Sequence, residues 1–332
     1  MIIIISHAGL INGQIYDAVT NNFIEILQKN KKSFIFIRHS MEGSFPSTLY
    51  IYKKGKNISN KKLFMFSKIA PIRYVSEIIC TVIYLFFKEY KEKSYFIGVD
   101  PLNAFTGLLL KKMGKINKVI FYTADYSKKR FSNKILNYLY HTVDGYCVIN
   151  ADEVWNVSSR IRDVRKKMGL IDSNNIFLPN VPSDEYKNYE NNKKNKFHLI
   201  TLGVIGEQLD FIGIFEAIND LRSEFPQIFL NIVGNGPKEE EYKQYVKTNG
   251  LENNVKFLGY LSHDQALEKI SKSGIGLALY NGNWSFNYYG DSVKCREYFC
   301  FGLPVITTDS HSTVEVIKEI QAGIVCNMNK ED

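Results

Sequence analysis

Short runs of β-branched and aromatic residues recur at helix-length intervals, and the series runs through the chain twice. In the first half they are IIIIS at 2–6, SFIFI at 33–37, YFIGV at 95–99, KVIFYT at 118–123 and YCVIN at 146–150. The series restarts with HLITLG at 198–203, IFLNIVG at 228–234, VKFLG at 255–259, IGLALY at 275–280 and LPVITTD at 303–309. Near-continuous apolar runs suit strands buried on both faces, and strand–helix alternation predicts parallel sheets covered by helices. Between the two series, VPSDEYKNYENNKKNK at 181–196 is polar and lacks apolar periodicity, so it predicts a linker. The expected architecture is α/β, with two doubly wound domains at 1–180 and 197–332. Ligands of such folds bind outside the carboxyl ends of the strands, here in a cleft that the two domains face. A length of 332 residues permits two cores at about 150 residues per domain.

No apolar stretch reaches 18 residues, so no membrane-spanning helix is expected. The opening MIIIISHAGL has no basic region before its apolar run and reads as a buried first strand, not a signal peptide. Within Val75–Tyr90, IICTVIYLFF is followed by Lys88, Lys91 and Lys93. It is too short to span a bilayer and predicts a helix buried on the N-terminal sheet, the alternative being a helix on a membrane interface. Cys80, Cys147, Cys295, Cys300 and Cys326 form no C-x-x-C pair and no zinc-ligand spacing with histidine. They read as reduced, mostly buried thiols of a cytoplasmic protein, with no metal site.

Charge divides unevenly. Residues 1–180 carry 27 Lys and Arg against 13 Asp and Glu, net +14, while residues 181–332 carry 15 against 21, net −6. Clusters at Lys53, Lys54, Lys56, Lys61, Lys62 and at Lys128, Lys129, Arg130, Lys134 point to an anionic contact for the N-terminal half, such as peripheral contact with a membrane surface or a lipid phosphate. A merely lysine-rich solvated face is the plainer alternative. None of the compact motifs of nucleic-acid readers occurs, so no nucleic-acid partner is expected.

The most informative segment is NYYGDSVKCREYFCFGLPVITTD at 287–309. Asp291 or Ser292 can cap a helix that ends at Gly302 and Pro304, just before a strand. Lys294 and Glu297, three apart, share a face near the helix start. A first-turn lysine opposes the helix dipole unless an anion is bound there, and then backbone N–H groups and Lys294 act on it together. Glu297, an acceptor-only side chain one turn deeper, suits a sugar diol. The chemistry called for is a nucleotide-sugar or a similar phosphorylated ligand.

The string S-V-K-C-R-E-Y-F-C-F-G-L-P-V-I resembles the donor-binding helix of glycosyltransferase family 4, whose members have the GT-B architecture of two Rossmann-like domains. LITLGVIG at 199–206, IFEAINDL at 214–221, LNIVGNGPKEEE at 230–241 and VKFLGYLSHDQ at 255–265 are similar to the family's successive C-terminal units. VIFYTADYS at 119–127, ADEVWNVSSRI at 151–161 and LPNVPSDE at 178–185 resemble its late N-terminal strands and crossover. The resemblance implies that Glu297 takes the donor ribose hydroxyls and that Ser292, Val293 and Lys294, with Asp291 beside them, lie near the diphosphate or donor sugar. It places Gly236 and Tyr260 in loops that approach the nucleotide and Gly13 in a glycine loop near the donor phosphate. Asp125 and His7 become the candidate catalytic residues on the acceptor side.

The sequence departs from the family at three places. Tyr289 stands where the family has a first glutamate, Val204, Glu207 and Asp210 stand where an Arg and a Lys usually follow the C-terminal glycine loop, and the family usually continues into further helices after AGIVCN. The implied activity is glycosyl transfer from a nucleotide-sugar to a glycan or lipid-linked acceptor in polysaccharide or glycoconjugate biosynthesis. It is expected to retain configuration and, with no D-x-D in the chain, to need no metal and no cofactor besides the donor. The alternatives are a catalytically weak nucleotide-sugar-binding subunit serving a partner glycosyltransferase and, last, a sugar-nucleotide epimerase. The implied location is the cytoplasm, peripheral at the inner face of the membrane.

Overall fold

The computed structural model describes residues 1–326 apart from 12–13, 18–19, 65–66, 68, 90–92, 183, 190–191 and 282–284. They form two compact units, Met1–Pro179 and Asn180–Asp332. The first runs β1 (Ile2–Ile11), β2 (Gln14–Tyr16), α1 (Asn21–Lys29), β3 (Phe34–Ser40), β4 (Thr48–Lys53), β5 (Lys56–Lys62), α2 (Ala70–Phe86), β6 (Tyr95–Val99), α3 (Pro101–Lys112), β7 (Lys118–Thr123), α4 (Lys134–Asn150), β8 (Glu153–Asn156), α5 (Ser159–Lys167) and β9 (Asn175–Phe177). Its sheet has the order β5-β4-β3-β1-β6-β7-β8-β9, with β2 folded back on β1. The strands from β3 to β9 in that order are parallel, and β4 and β5 add an antiparallel edge.

β1 lies in the middle because its isoleucines can be buried on both faces. Ile3, Ile4 and Ile5 are fully covered, with Ile3 opposite Ile35 on one side and Phe96 on the other. From β1 the chain goes first to β3 on one flank and later to β6 on the other. The β1/β6 boundary is therefore the topological switch point of the sheet, where ligands of doubly wound folds sit.

The second unit runs β10 (Asn195–Leu202), α6 (Phe211–Leu221), β11 (Phe229–Val233), α7 (Glu239–Thr248), β12 (Val255–Phe257), α8 (His263–Lys272), β13 (Ser273–Ala278), α9 (Ser285–Tyr289), α10 (Val293–Cys300), β14 (Val305–Thr308), α11 (Thr313–Ile320) and β15 (Gly323–Cys326). Its sheet, all parallel, has the order β12-β11-β10-β13-β14-β15. One face packs Phe211, Phe215, Ile218, Leu230 and Ile232, the other Ile200, Ile270, Tyr298, Val305 and Ile317. Its switch point is the β10/β13 boundary.

Two expectations are corrected here. YCVIN at 146–150 is the last turn of α4, and the strand is β8 just after it. Asn133 starts α4 by accepting from the N–H groups of Ile135 and Leu136, and no breaker stops the helix before Ala151. A short apolar run reads alike for a buried strand and a buried helical turn, and here the upstream cap decides. The segment around IICTVIYLFF is a helix, α2, whose Leu85 joins the first core with Val82, Tyr84 and Phe86 packed against it, but the rest of its buried face is polar and part of its apolar surface is left outside. Arg73, Ser76, Glu77 and Thr81 face inward with Leu85, while Ile72, Val75, Ile79 and Ile83 are exposed.

The polar stretch at 181–196 is carried by the second unit. Its Asp184–Tyr189 portion forms a 3-10 turn, the Tyr189 hydroxyl donates to Asp264 at 2.6 Å, and Tyr186 packs against the second core. All five cysteines are free, with Cys147 and Cys295 buried. Among the described residues no helix is long and apolar enough to cross a membrane.

Candidate functional site

At the switch point of the second sheet, Gly203 follows β10 and Tyr280 follows β13, and the side chain of Lys294 lies between them. Its Nζ is 4.6 Å from the centre of the Tyr280 ring, and a Cβ on Gly203 would come within 3.1 Å of it. Gly203 has φ +137°, so this space is kept by a residue with no side chain to fill it. Loss of water around Lys294 lowers its pKa to about 8, against the opposing pull of Cys295 and Glu297.

Lys294 is placed by the start of α10. Ser292 is the N-cap: its Oγ accepts from the Cys295 N–H and lies 3.0 Å from the Tyr280 hydroxyl. Gly302, at φ +60°, closes the turn after the helix. Tyr298 anchors α10 to the sheet, fully buried, its hydroxyl 3.3 Å from the carbonyls of Ile200 and Leu277. Its neighbour Glu297 keeps a carboxylate that is 13% exposed and lies 3.8 Å from His263 Nδ1, while the other nitrogen of His263 lies 3.5 Å from Glu185. Burial raises the Glu297 pKa, and His263 and then Lys294 oppose that rise.

The remaining calls on this side fall in different places. Asp291 is buried, and its carboxylate accepts from Arg296, from Thr313 Oγ1 and from the Asn180 N–H. It ties α10 to α11 and to the start of the unit. Val293 is half-exposed and Tyr260 largely exposed. Gly236 lets two loops touch: a Cβ there would meet the Ile205 carbonyl at 2.3 Å, and the same carbonyl accepts from the Lys238 N–H. Gly13 lies outside the described residues. Tyr289 is buried, Val204 is exposed, and Asp210 caps α6 by accepting from the Gly213 N–H. Lys238 was not foreseen. It stands beside the glycine loop, 2.7 Å from Glu241 and 3.9 Å from Glu207, on the unit that lacks the expected Arg and Lys.

The first unit has a polar site at its own switch point. His7, in β1 two residues past its pairing with β6, has Nδ1 2.6 Å from Asp100 and Nε2 3.1 Å from Glu77. Burial alone favours the neutral ring, but Asp100 and Glu77 outweigh it and raise the pKa to about 10, so His7 is an imidazolium. His39, 5.3 Å away ring to ring, is pushed well down by burial and by that charge and stays neutral, with Ser47 Oγ 2.8 Å from its Nδ1.

Asp100 caps α3 by accepting from the Asn103 N–H and has φ +78°, a strained backbone for a residue with a Cβ. A cavity of about 200 Å³ opens here, bordered by His7, Tyr74, Asp100, Asp125, Arg130 and Tyr140. Asp125 borders it and is paired with Arg130 at 2.6 Å. Asp100 and Glu77 were missed. The sequence signal for Asp100 was the Asp-Pro pair after a strand, which starts a helix with a capping carboxylate.

Residues 182–332 match the family described as glycosyl transferases, group 1. Among solved structures the chain is similar to the apo form of the lipopolysaccharide outer core galactosyltransferase WaaB, at 15% identity over 96% of this chain and 83% of that one, TM-score 0.64. It is also similar to Anabaena Alr3699/HepE in complex with UDP, at 12% identity over 98% and 85%, TM-score 0.61. A third is WaaG, a glycosyltransferase involved in lipopolysaccharide biosynthesis, at 13% identity over 100% and 88%, TM-score 0.60. No curated protein matches the chain. Two Rossmann-like units, each with a polar site at the carboxyl ends of its strands, give the GT-B architecture. The second unit matches the group 1 glycosyl transferases, and the chain as a whole shares the fold of GT-B glycosyltransferases.

Proposed function

We propose that the protein is a family 4 enzyme that moves a sugar from a nucleotide-sugar to a glycan or lipid-linked acceptor, with retention and without a metal, in polysaccharide or glycoconjugate biosynthesis. The observation that carries this is the placement of Lys294, Gly203 and Glu297 at one switch point, at the N-terminal end of α10, where the helix dipole favours an anion. Glu297 accepts from the ribose hydroxyls, and α10 with Lys294 and Lys238 neutralises the diphosphate, the duty a metal has elsewhere. The acceptor hydroxyl forms its bond to the anomeric carbon as the bond to the distal phosphate breaks, and its proton passes to a phosphate oxygen. The first unit supplies the acceptor cavity, where Asp125 and the His7–Asp100 pair meet acceptor hydroxyls.

HepE has been solved with UDP and with UDP-glucose, which supports a uridine donor. We place the enzyme in the cytoplasm with peripheral contact to the inner face of the membrane, a reading supported by the +14 balance of residues 1–180. A thermal-shift panel of UDP, GDP, ADP, CMP and their sugar conjugates, with Glu297→Ala alongside, tests the donor site. A nucleotide at a hundred times its Kd adds about 2.7 kcal/mol to stability. A shift with UDP that disappears in the variant is expected, and no shift with any nucleotide overturns the reading. Tyr289, buried where the family has its first glutamate, favours the second reading, a binding subunit for a partner transferase. That reading requires UDP-sugar binding without donor turnover by the isolated chain.

A further inference from the structure

α2 buries a mixed face and leaves an apolar one outside. Its inner face makes polar contacts: Glu77 to His7 at 3.1 Å, Thr81 Oγ1 to His39 Nε2 at 3.4 Å, and Arg73 Nη2 donating to the Met41 carbonyl at 2.7 Å. Its outer face carries Ile72, Val75, Ile79 and Ile83, from 44% to 56% exposed, continued beyond its ends by Ile69 at 65% and Phe87 at 79%. Steps of three and four residues put these side chains in one stripe. Packing against the sheet does not account for a stripe that faces away from it, and a contiguous exposed apolar patch marks a contact with protein or membrane.

Charge selects the occupant. Glu77 is the one carboxylate of α2, and it points inward. Toward the C-terminal end, Lys61 and Lys88 hold their ammonium groups 5.7 and 6.0 Å from the centre of the Tyr84 ring, and Lys115 lies 4.6 Å from that of Phe86. An apolar stripe with lysines at its rim complements an anionic bilayer, with the side chains in the acyl boundary and the ammonium groups at the headgroups. A helix of 17 residues lies along such a surface and does not cross it.

We propose that the outer face of α2 docks the protein onto an anionic lipid bilayer, which deepens the membrane contact of the proposed function and rests on that reading. The inner face of the same helix meets His7, and Tyr74 on α2 borders the cavity of the first unit. Docking therefore brings that cavity to the lipid surface, where a lipid-linked acceptor presents its head.

The test is co-sedimentation of the full chain with vesicles of phosphatidylcholine alone or mixed with phosphatidylglycerol. The wild type is expected to bind the mixed vesicles, and Ile72→Ser/Ile79→Ser/Ile83→Ser to bind them on the order of tenfold or more weakly. The control Ile171→Ser, a change at an exposed isoleucine elsewhere in the first unit, is expected to leave binding unchanged. Circular dichroism and the UDP thermal shift confirm that the triple variant is folded. A wild type that stays in the supernatant, or a triple variant that binds as tightly, overturns the proposal. A concentration-dependent dimer that the triple variant disperses, without vesicle binding, overturns it in favour of a second copy of the chain. UDP stabilisation reports on the second unit, so its loss faults the donor reading and leaves vesicle binding to be judged separately.

Discussion

Nδ1 of His7 lies 2.6 Å from the Asp100 carboxylate, and the other nitrogen of the same ring lies 3.1 Å from Glu77. Three elements distant in sequence thus share one proton-rich ring, whose pKa rises from 6.5 to about 10 although burial opposes the charge. The folded value lies above the unfolded one. The stabilisation is therefore complete below pH 6.5 and is lost as pH climbs through about 10. Denaturant midpoints of the wild type should fall across that window by the equivalent of a few kcal/mol, roughly 1.4 per pKa unit. His7→Gln should flatten the slope. Parallel slopes for the two proteins would show that His7 is not charged in the fold.

Lys294 titrates from the opposite direction. Burial brings it down to about 8, so the free protein begins to lose the cation just above neutral pH. A diphosphate needs the charged form. UDP affinity should weaken about tenfold between pH 7 and pH 9, the protonated fraction falling by that factor around a pKa of 8. Lys294→Met should bind about ten- to a hundredfold more weakly at pH 7, the cost of a lost charged hydrogen bond, and should show no such pH dependence. Calorimetric titration measures both, and a pH-independent wild type would remove Lys294 from the phosphate.

What was legible in the sequence was local. The apolar runs marked most parallel strands, and the Ser292 cap, Lys294, Glu297 and Gly302 marked α10 because capping and helix spacing act within a few residues. The His7 cluster was hidden, since Asp100 and Glu77 join it from 93 and 70 residues away. The orientation of α2 was hidden too: an apolar run shows how much can be buried but not which side the sheet takes. The β4–β5 edge was read only as a lysine cluster, since it turns through Lys54 and Gly55 at positive φ and every residue of β5 is exposed.

His263 is expected to act as a positioning residue for Glu297. Its Nδ1 is 3.8 Å from that carboxylate, and its charged form opposes the rise that burial imposes on the Glu297 pKa. His263→Ala should therefore let Glu297 take up a proton at higher pH, so UDP binding fails earlier on acidification while staying near wild type in mildly alkaline buffer. His263→Lys should restore part of the acid limb. A uniform loss at all pH values in His263→Ala would mean that the ring contacts ligand directly.

Asp144 and Arg165 form a buried pair in the first unit, with Arg165 Nη2 donating to Asp144 at 2.9 Å and both side chains almost wholly covered. Removing one partner strands a charge away from water. Asp144→Ala should cost about 3–5 kcal/mol of stability in urea unfolding, whereas replacing both with apolar residues should cost less. UDP binding by the second unit should persist in the single variant under conditions where it remains folded. A loss well below 1 kcal/mol would contradict the pairing.

Gly276 tests how the donor helix is seated. A methyl at this position on β13 would lie 2.3 Å from a ring carbon of Tyr298, and Tyr298 is fully buried. The ring has no room to withdraw, so α10 must shift, and Glu297 is the next residue along it. Gly276→Ala should destabilise the protein by about 1–3 kcal/mol through overpacking and weaken UDP binding as well, although Gly276 itself offers no group to the ligand. Tyr298→Leu should relieve the clash. The double variant should therefore bind UDP better than Gly276→Ala alone, with a coupling of about 0.5–3 kcal/mol in the double-mutant cycle. Additive losses would mean that α10 holds its place without the glycine–tyrosine contact, and the position of Glu297 would then have to be set from the N-terminal side, by Ser292 and Asp291.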